Sequence, residues 1–213
     1  MEDSNMIVVK LGGTNGSGKT SVARALLDKM AGRCALGTLP NSKKFKGYGG
    51  MIEKRFWSVL GSYETTCGGM DTISDKNVRL ELINDEIGNK ENDVVFFEGL
   101  ITGKTYGKIG ELSEIDNGAK WLYTFMDTPF EVCVERVLQR RAAARAAGGN
   151  KAASLSAKPF DPERTMRPTY NSVQAVAKRA AAQGHAVLWL PHALPPQAIA
   201  GHLLNEVAKH ANQ

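Results

Sequence analysis

The stretch Gly13-Thr14-Asn15-Gly16-Ser17-Gly18-Lys19-Thr20 fits the pattern G-x-x-x-x-G-K-[ST] and constrains the fold more than any other feature of the chain. With glycine at roughly 7% of average residues, chance would produce such a match here with odds on the order of one percent. An apolar run at 6–11 (MIVVKL) precedes it and reads as a buried strand; after it, Val22, Leu26 and Met30 share one helical face. Strand, glycine-rich loop and helix together make a phosphate cradle. Gly13, Gly16 and Gly18 let successive backbone N–H groups turn inward on phosphate oxygens, and the helix N-terminus adds its partial positive charge. Thr14, Asn15 and Ser17 complete the loop. Lys19 is expected to reach the β- and γ-phosphates of ATP, and the Thr20 hydroxyl to hold Mg²⁺.

The remaining pattern alternates strand and helix. Strands are expected at 56–60 (FWSVL), 94–97 (VVFF), 121–126 (WLYTFM) and 185–190 (HAVLWL). Between them, Ser74 is expected to cap a helix carrying Val78, Leu82, Ile83 and Ile87. Thr128-Pro129-Phe130-Glu131 reads as a capping box with proline at the first helical position. Residues 141–158, rich in alanine, glycine and serine, read as a mobile insertion. A helix restarts near Pro168 and stops at Gly184, and Pro196 opens a last one. This predicts an α/β fold: a mostly parallel five-stranded sheet with helices on both faces. The length, 213 residues, suits one domain over 1–213, with an acceptor-binding region at about 40–75 and an insertion at about 140–167.

Three widely spaced cysteines (Cys34, Cys67, Cys133) without a C-x-x-C pair give neither a disulfide framework nor a zinc ribbon, so a reducing, cytoplasmic setting is expected. The acidic start lacks the flanks of a signal peptide, and no window approaches the roughly 18 apolar residues that cross a bilayer. No membrane partner is expected. The net charge of +5 is unevenly spread. Acids dominate 81–116, whereas Arg136, Arg140, Arg141, Arg145, Arg164 and Arg167 crowd one later region and Lys43, Lys44, Lys46, Lys54 and Arg55 an earlier one. Two basic regions point to polyanionic ligands.

Three elements turn a triphosphate cradle into a reaction. Glu98 ends the apolar strand VVFFE, the place for a carboxylate that orients Mg²⁺, so Thr20 and Glu98 are the metal candidates. Arg136 and Arg140 stand one helical turn apart after Asp127-Thr128-Pro129. With the insertion that follows, they resemble the LID of small-molecule and nucleotide kinases, whose arginines neutralise the transferring phosphoryl group. The segment 60–73 (LGSYETTCGGMDTI) lies past a strand end, on the side expected for an acceptor. Asp71 is the candidate general base, with Glu64 and Glu98 as rivals; Gly68 and Gly69 would line the acceptor pocket, and Tyr63 would either stack on a base or pack internally. Cys67 has no partner histidine that would mark it as a nucleophile.

The G-T-N-G-S-G-K-T loop, the V-L-G-S-Y segment and the C-G-G-M-D-T-I run resemble phage P-loop kinases of thymidine hypermodification. The resemblance spans about 6–190, and its distinctive part is 59–73. It implies a nucleotide-kinase-like P-loop NTPase fold in the host cytoplasm. It also implies an ATP-dependent phosphotransferase acting on the hydroxymethyl group of 5-hydroxymethyluracil in DNA. The basic regions suit such a partner, since DNA phosphates must be met outside the ATP site and a base in a duplex must be flipped out.

Other readings stay open on the residues alone. A kinase of free nucleosides or nucleoside monophosphates is one, although Glu98-Gly99-Leu100 stands where an Asp-Arg dipeptide would support it. A nucleotide switch without kinase activity would leave the arginines unexplained. A polynucleotide kinase would accept any terminal 5′-hydroxyl.

Overall fold

A computed structural model of the chain describes residues 6–39, 45–64, 68–100, 104, 106–114, 118–147 and 160–212. Its strands are β1 (Ile7–Gly12), β2 (Ala31–Ala35), β3 (Gly47–Ile52), β4 (Arg55–Leu60), β5 (Val94–Glu98), β6 (Lys120–Asp127) and β7 (Ala186–Pro191). Its α-helices are α1 (Lys19–Asp28), α2 (Lys76–Gly88), α3 (Gly107–Glu114), α4 (Phe130–Ala146), α5 (Pro162–Thr165), α6 (Arg167–Ala182) and α7 (Pro196–Ala211).

The sheet order is β2-β3-β4-β5-β1-β6-β7. From β4 to β7 every pairing is parallel, which gives the five expected strands. The expectation of five strands in all is corrected: β2 and β3 add an antiparallel pair beyond β4. Their glycines and alanines hid them, because β2 (AGRCA) buries none of its side chains and β3 (GYGGMI) has no regular alternation.

Strands β1 and β5 are buried at every position, because apolar layers cover both faces. Ile7, Val9 and Leu11 face α1 and α7, meeting Val22, Leu26, Leu203 and Val207. Val8 faces the other layer, with Leu82 and Ile83 of α2, Ile109 of α3 and Val176 of α6. Sandwiched so, β1 delivers the loop after Gly12 to the middle of the carboxyl edge of the sheet, where ligands of such sheets bind.

Three local expectations are corrected. Asp75, not Ser74, caps α2, its carboxylate accepting from the N–H groups of Asn77 (2.8 Å) and Val78 (3.5 Å). Thr128 does not cap α4, whose N-cap is Pro129; the Thr128 hydroxyl instead donates to the Ser17 carbonyl at 2.9 Å. Helix α4 continues through Arg141 and Arg145 to Ala146, because its alanines favour helix, so 141–146 are helix and not the mobile stretch expected there; residues 148–159 lie outside the described ones. No helix of the described residues is long and apolar enough to cross a membrane.

Candidate active site

The Gly13–Thr20 loop leaves β1 with Gly13 at φ 155°, Gly16 at 80° and Gly18 at 103°. Gly16 is the position that admits no side chain: a Cβ there would lie 2.3 Å from the Cys133 carbonyl oxygen, so the loop rests directly on the start of α4. Arg136 closes the same contact, donating to the Gly16 carbonyl at 3.3 Å. Helix α1 begins after Gly18 without a side-chain cap, so its first N–H groups face the loop. The buried Thr14 and Ser17 hydroxyls make no hydrogen bond to the described residues, leaving two donors within the cradle. This fits an oxyanion such as a phosphate chain.

Lys19 is buried, and its Nζ donates to the carbonyls of Gly13 (2.8 Å) and Thr14 (3.1 Å). Burial pulls its ammonium below the ordinary lysine range, while Glu98 and Asp71 push it back up. Thr20 Oγ1 donates to Glu98 Oε1 at 3.0 Å, joining the loop to the end of β5. Burial pushes the Glu98 carboxyl up to about 7; Lys19 and the Thr20 hydroxyl pull it down, and Asp71 adds to the rise. Among the described residues no cluster of three or more His, Cys, Asp or Glu side chains forms a metal cage. Thr20 and Glu98 therefore supply two oxygens of the kind Mg²⁺ accepts when phosphates and water fill its other positions.

The segment after β4 is folded against this centre. Ser62 and Gly69 form an antiparallel bridge, with Gly69 N–H donating to Ser62 O at 2.8 Å. A Cβ on Gly69 (φ 76°) would lie 2.6 Å from Glu98 Oε1, and one on Gly68 would lie 3.2 Å from Thr20 Cγ2. Both glycines are thus required by close approach to the carboxylate and to the helix. Asp71, exposed in the 3₁₀ turn Met70–Thr72, accepts the Leu100 N–H at 2.5 Å. Its charge is felt by both Lys19 and Glu98.

A cleft of about 570 Å³ brings together Lys19, Thr20, Gly68, Asp71, Glu98, Arg136 and Arg140. Tyr63 is not in it: its ring packs in the core, its hydroxyl donates to Leu60 O at 3.3 Å, and burial pushes the phenol well above its ordinary range. Of the two roles open to Tyr63 in the sequence, the packed one is the one its position serves. Glu64 lies outside the cleft lining and accepts a hydrogen bond from the Tyr48 hydroxyl. Arg141, toward the C-terminal end of α4, sits over the Phe160 ring at 4.8 Å, and Arg167 sits over Phe130 at the start of α4 at 3.4 Å while pairing with Glu163 at 2.8 Å. Cys67 lies outside the described residues.

Two groups of cleft residues went unnoticed in the sequence. Arg24, one turn beyond Thr20, donates from Nε (3.2 Å) and Nη2 (2.9 Å) to the Tyr63 carbonyl and so fastens Tyr63 to α1. Its spacing from Thr20 was the available signal. His192 and Leu194, in the turn between β7 and α7, and Pro196 at the start of α7 form the other wall with Gln139 of α4; His192 Nδ1 lies 2.6 Å from the Asp127 carbonyl. Their place past a strand's carboxyl end was the signal there.

No family model matches the chain. Over its whole length it is similar to a gluconokinase from Sinorhizobium meliloti 1021, covering 96% of that chain at 14% identity and a TM-score of 0.47, too distant a likeness to bear on the chemistry. A 5-hmdU DNA kinase of Pseudomonas phage M6 is 28% identical over 140 residues, 63% of this chain and 72% of that protein. A second, from Pseudomonas phage PaMx11, is 33% identical over 139 residues, 63% of this chain and 69% of that protein. With a third of the aligned residues shared across more than two thirds of the PaMx11 protein, the chain belongs to the family of phage 5-hmdU DNA kinases.

Proposed function

We propose that this chain transfers the γ-phosphoryl group of ATP to the hydroxymethyl group of 5-hydroxymethyluracil in DNA. The observation that carries the reading is that Gly68 lies against Thr20 and Gly69 against Glu98, so an acceptor entering beside them meets the triphosphate cradle directly. The names of the two phage relatives supply the acceptor.

In this reading the acceptor hydroxyl oxygen forms the new bond to the γ-phosphorus, the bond from that phosphorus to the β,γ-bridging oxygen breaks, and ADP leaves. Asp71, exposed on the cleft, receives the hydroxyl proton. Lys19, Arg136 and Arg140 offset charge on the transferring group. Thr20 and Glu98 hold Mg²⁺, which neutralises charge on the phosphate oxygens when bound. Thr14 and Ser17 donate their buried hydroxyls to phosphate oxygens. A paired and stacked base reaches this recessed cleft by being extruded from the duplex.

The test uses γ-labelled ATP and three acceptors: end-blocked DNA with internal 5-hydroxymethyluracil, the matching thymine DNA, and the free hydroxymethylated mononucleotide. Label confined to the modified DNA is expected, and it disappears in Lys19→Ala. Label confined to the mononucleotide would overturn the DNA reading.

A further inference from the structure

Residues 29–55, the segment that contains the antiparallel pair β2–β3, carry charge out of proportion to their number. Residues 29–55 hold seven basic side chains (Lys29, Arg33, Lys43, Lys44, Lys46, Lys54, Arg55) and one acid (Glu53), a net +6 in a chain whose total is +5. The rest of the protein is therefore close to neutral. The same pair contributes little to the core: every side chain of β2 is exposed, on both faces of the ribbon. Arg33 is the one cation within the two strands and the others flank them in sequence, so an edge that buries little is bordered by positive charge, which suits a polyanionic partner.

Register divides these charges between two ends. Strand β4 runs toward the carboxyl edge of the sheet, and β3 returns antiparallel with Gly47 opposite Leu60 and Ile52 opposite Arg55. The start of β3 therefore sits at the edge that holds the cleft, and the β3–β4 turn sits at the opposite edge. Lys54 and Arg55 are on the far edge. So is Lys29, at the C-terminal end of α1. Lys46 is on the near edge, where its carbonyl accepts the Gly61 N–H at 2.8 Å as the acceptor segment begins. The ribbon continues past β2 and β3 through a bridge between Thr38 and Phe45.

Aromatic rings lead from that end toward the cleft. Phe45 meets Tyr48 edge-to-face at 4.7 Å, and Tyr48 lies 6.3 Å from Tyr63. The Arg33 guanidinium stands 5.9 Å from the Tyr48 ring, and the Tyr48 hydroxyl bonds Glu64 of the acceptor loop. Phe45 and Tyr48 are only partly buried, so each keeps ring surface open. Cations interleaved with partly open rings are the elements that hold a nucleic-acid strand: phosphates pair with the cations and bases stack on the rings.

We infer that Phe45, Lys46 and Tyr48 at the near end of the β2–β3 ribbon, with Arg33, which lies midway along the ribbon, donates to the Leu27 carbonyl at 3.4 Å and reaches the Tyr48 ring, bind the DNA strand that flanks the base being phosphorylated. The inference rests on the acceptor being part of DNA. It assigns strand binding to a part of the molecule separate from the ATP cradle and from the arginines of α4.

Two double variants test it, each replacing two cations. Arg33→Gln/Lys46→Gln alters the near end, and Lys54→Gln/Arg55→Gln the far end. Binding of fluorescein-labelled DNA carrying one 5-hydroxymethyluracil is followed by anisotropy across a salt series, alongside ATP binding and thermal stability. The near-end pair is expected to weaken DNA binding about tenfold and to flatten the slope of log affinity against log salt by about 1.5–2, with ATP affinity unchanged. The far-end pair is expected to leave both within twofold of the parent. Equal effects of the two pairs, or none from the near-end pair, would overturn the assignment. Phe45→Ala, which keeps the charge, should weaken binding several-fold without changing the salt slope, whereas a purely electrostatic ribbon would leave its affinity unchanged. Parent protein that binds DNA through the near end yet labels only free nucleotide would sink the proposed acceptor and not the binding surface.

Discussion

Thr20 Oγ1 donates to Glu98 Oε1 at 3.0 Å, so the last residue of the phosphate loop and the last residue of β5 are locked together before any ligand arrives. Glu98 is 1% exposed, and burial holds its carboxyl near neutrality. The pair is an electrostatic cost to the fold that the proposed reaction uses. Glu98→Gln keeps the shape and removes the buried charge. At pH 8 its Tm is expected to rise by about 2–4 °C per kcal/mol of burial cost relieved, while kcat falls at least about 100-fold. Calorimetry and a phosphoryl-transfer assay on the same preparation check both; a lower Tm with full activity would count against the role.

Asp71 is exposed on the cleft and held by the Leu100 N–H. Asp71→Asn retains a hydrogen-bond acceptor for that N–H and loses the basic oxygen. A fall in kcat of about 10²–10⁴-fold with ATP affinity within twofold of the parent is expected. Single-turnover kinetics together with nucleotide binding would show it. An unaltered rate would move proton acceptance to Glu98, since Glu64 is engaged with Tyr48 away from the cleft.

Gly16→Ala tests the seating of the loop. Its Cβ would meet the Cys133 carbonyl oxygen at 2.3 Å, in a backbone conformation (φ 80°) that side chains rarely adopt. The loop must shift off α4, taking the Arg136 contact with it. ATP affinity is expected to fall more than about 10-fold, with a stability loss of about 1–3 kcal/mol. Titration calorimetry and denaturant unfolding would measure the two.

What the sequence disclosed follows from how local each signal was. The cradle was legible because its glycines, Lys19 and Thr20 are adjacent in the chain, and β1 and β5 because burial on both faces forces continuous apolar runs. The closeness of Asp71 to Glu98 was not legible, since it arises from Gly69 fitting against the end of β5. The antiparallel pair escaped notice because strands that bury little carry no apolar period. Thr128 misled for another reason: a threonine before proline looks like a cap whether its hydroxyl turns to its own helix or, as here, to Ser17.

Lys10 is the clearest departure from ordinary core chemistry. It is 0% exposed on β1, and its Nζ makes no hydrogen bond to the described residues. It stands over the rings of Tyr123 at 5.0 Å and Phe125 at 5.5 Å. Burial lowers its amine from 10.5 to about 7. A folded-state pKa below the unfolded one means that the unfolded chain binds the extra proton between those values. Stability therefore rises with pH across that window, is fully present above 10.5, and is lost as pH falls through about 7. The ring faces offset part of the cost of the charged form. Between pH 7 and pH 9 the expected gain from this group is about 2 kcal/mol. Lys10→Met fills the same space without a charge, so it should be more stable than the parent at pH 7, and the difference should shrink toward pH 9. Denaturant melts of both proteins at the two pH values measure this; parallel pH profiles would show that Lys10 keeps its ordinary proton affinity in the folded chain.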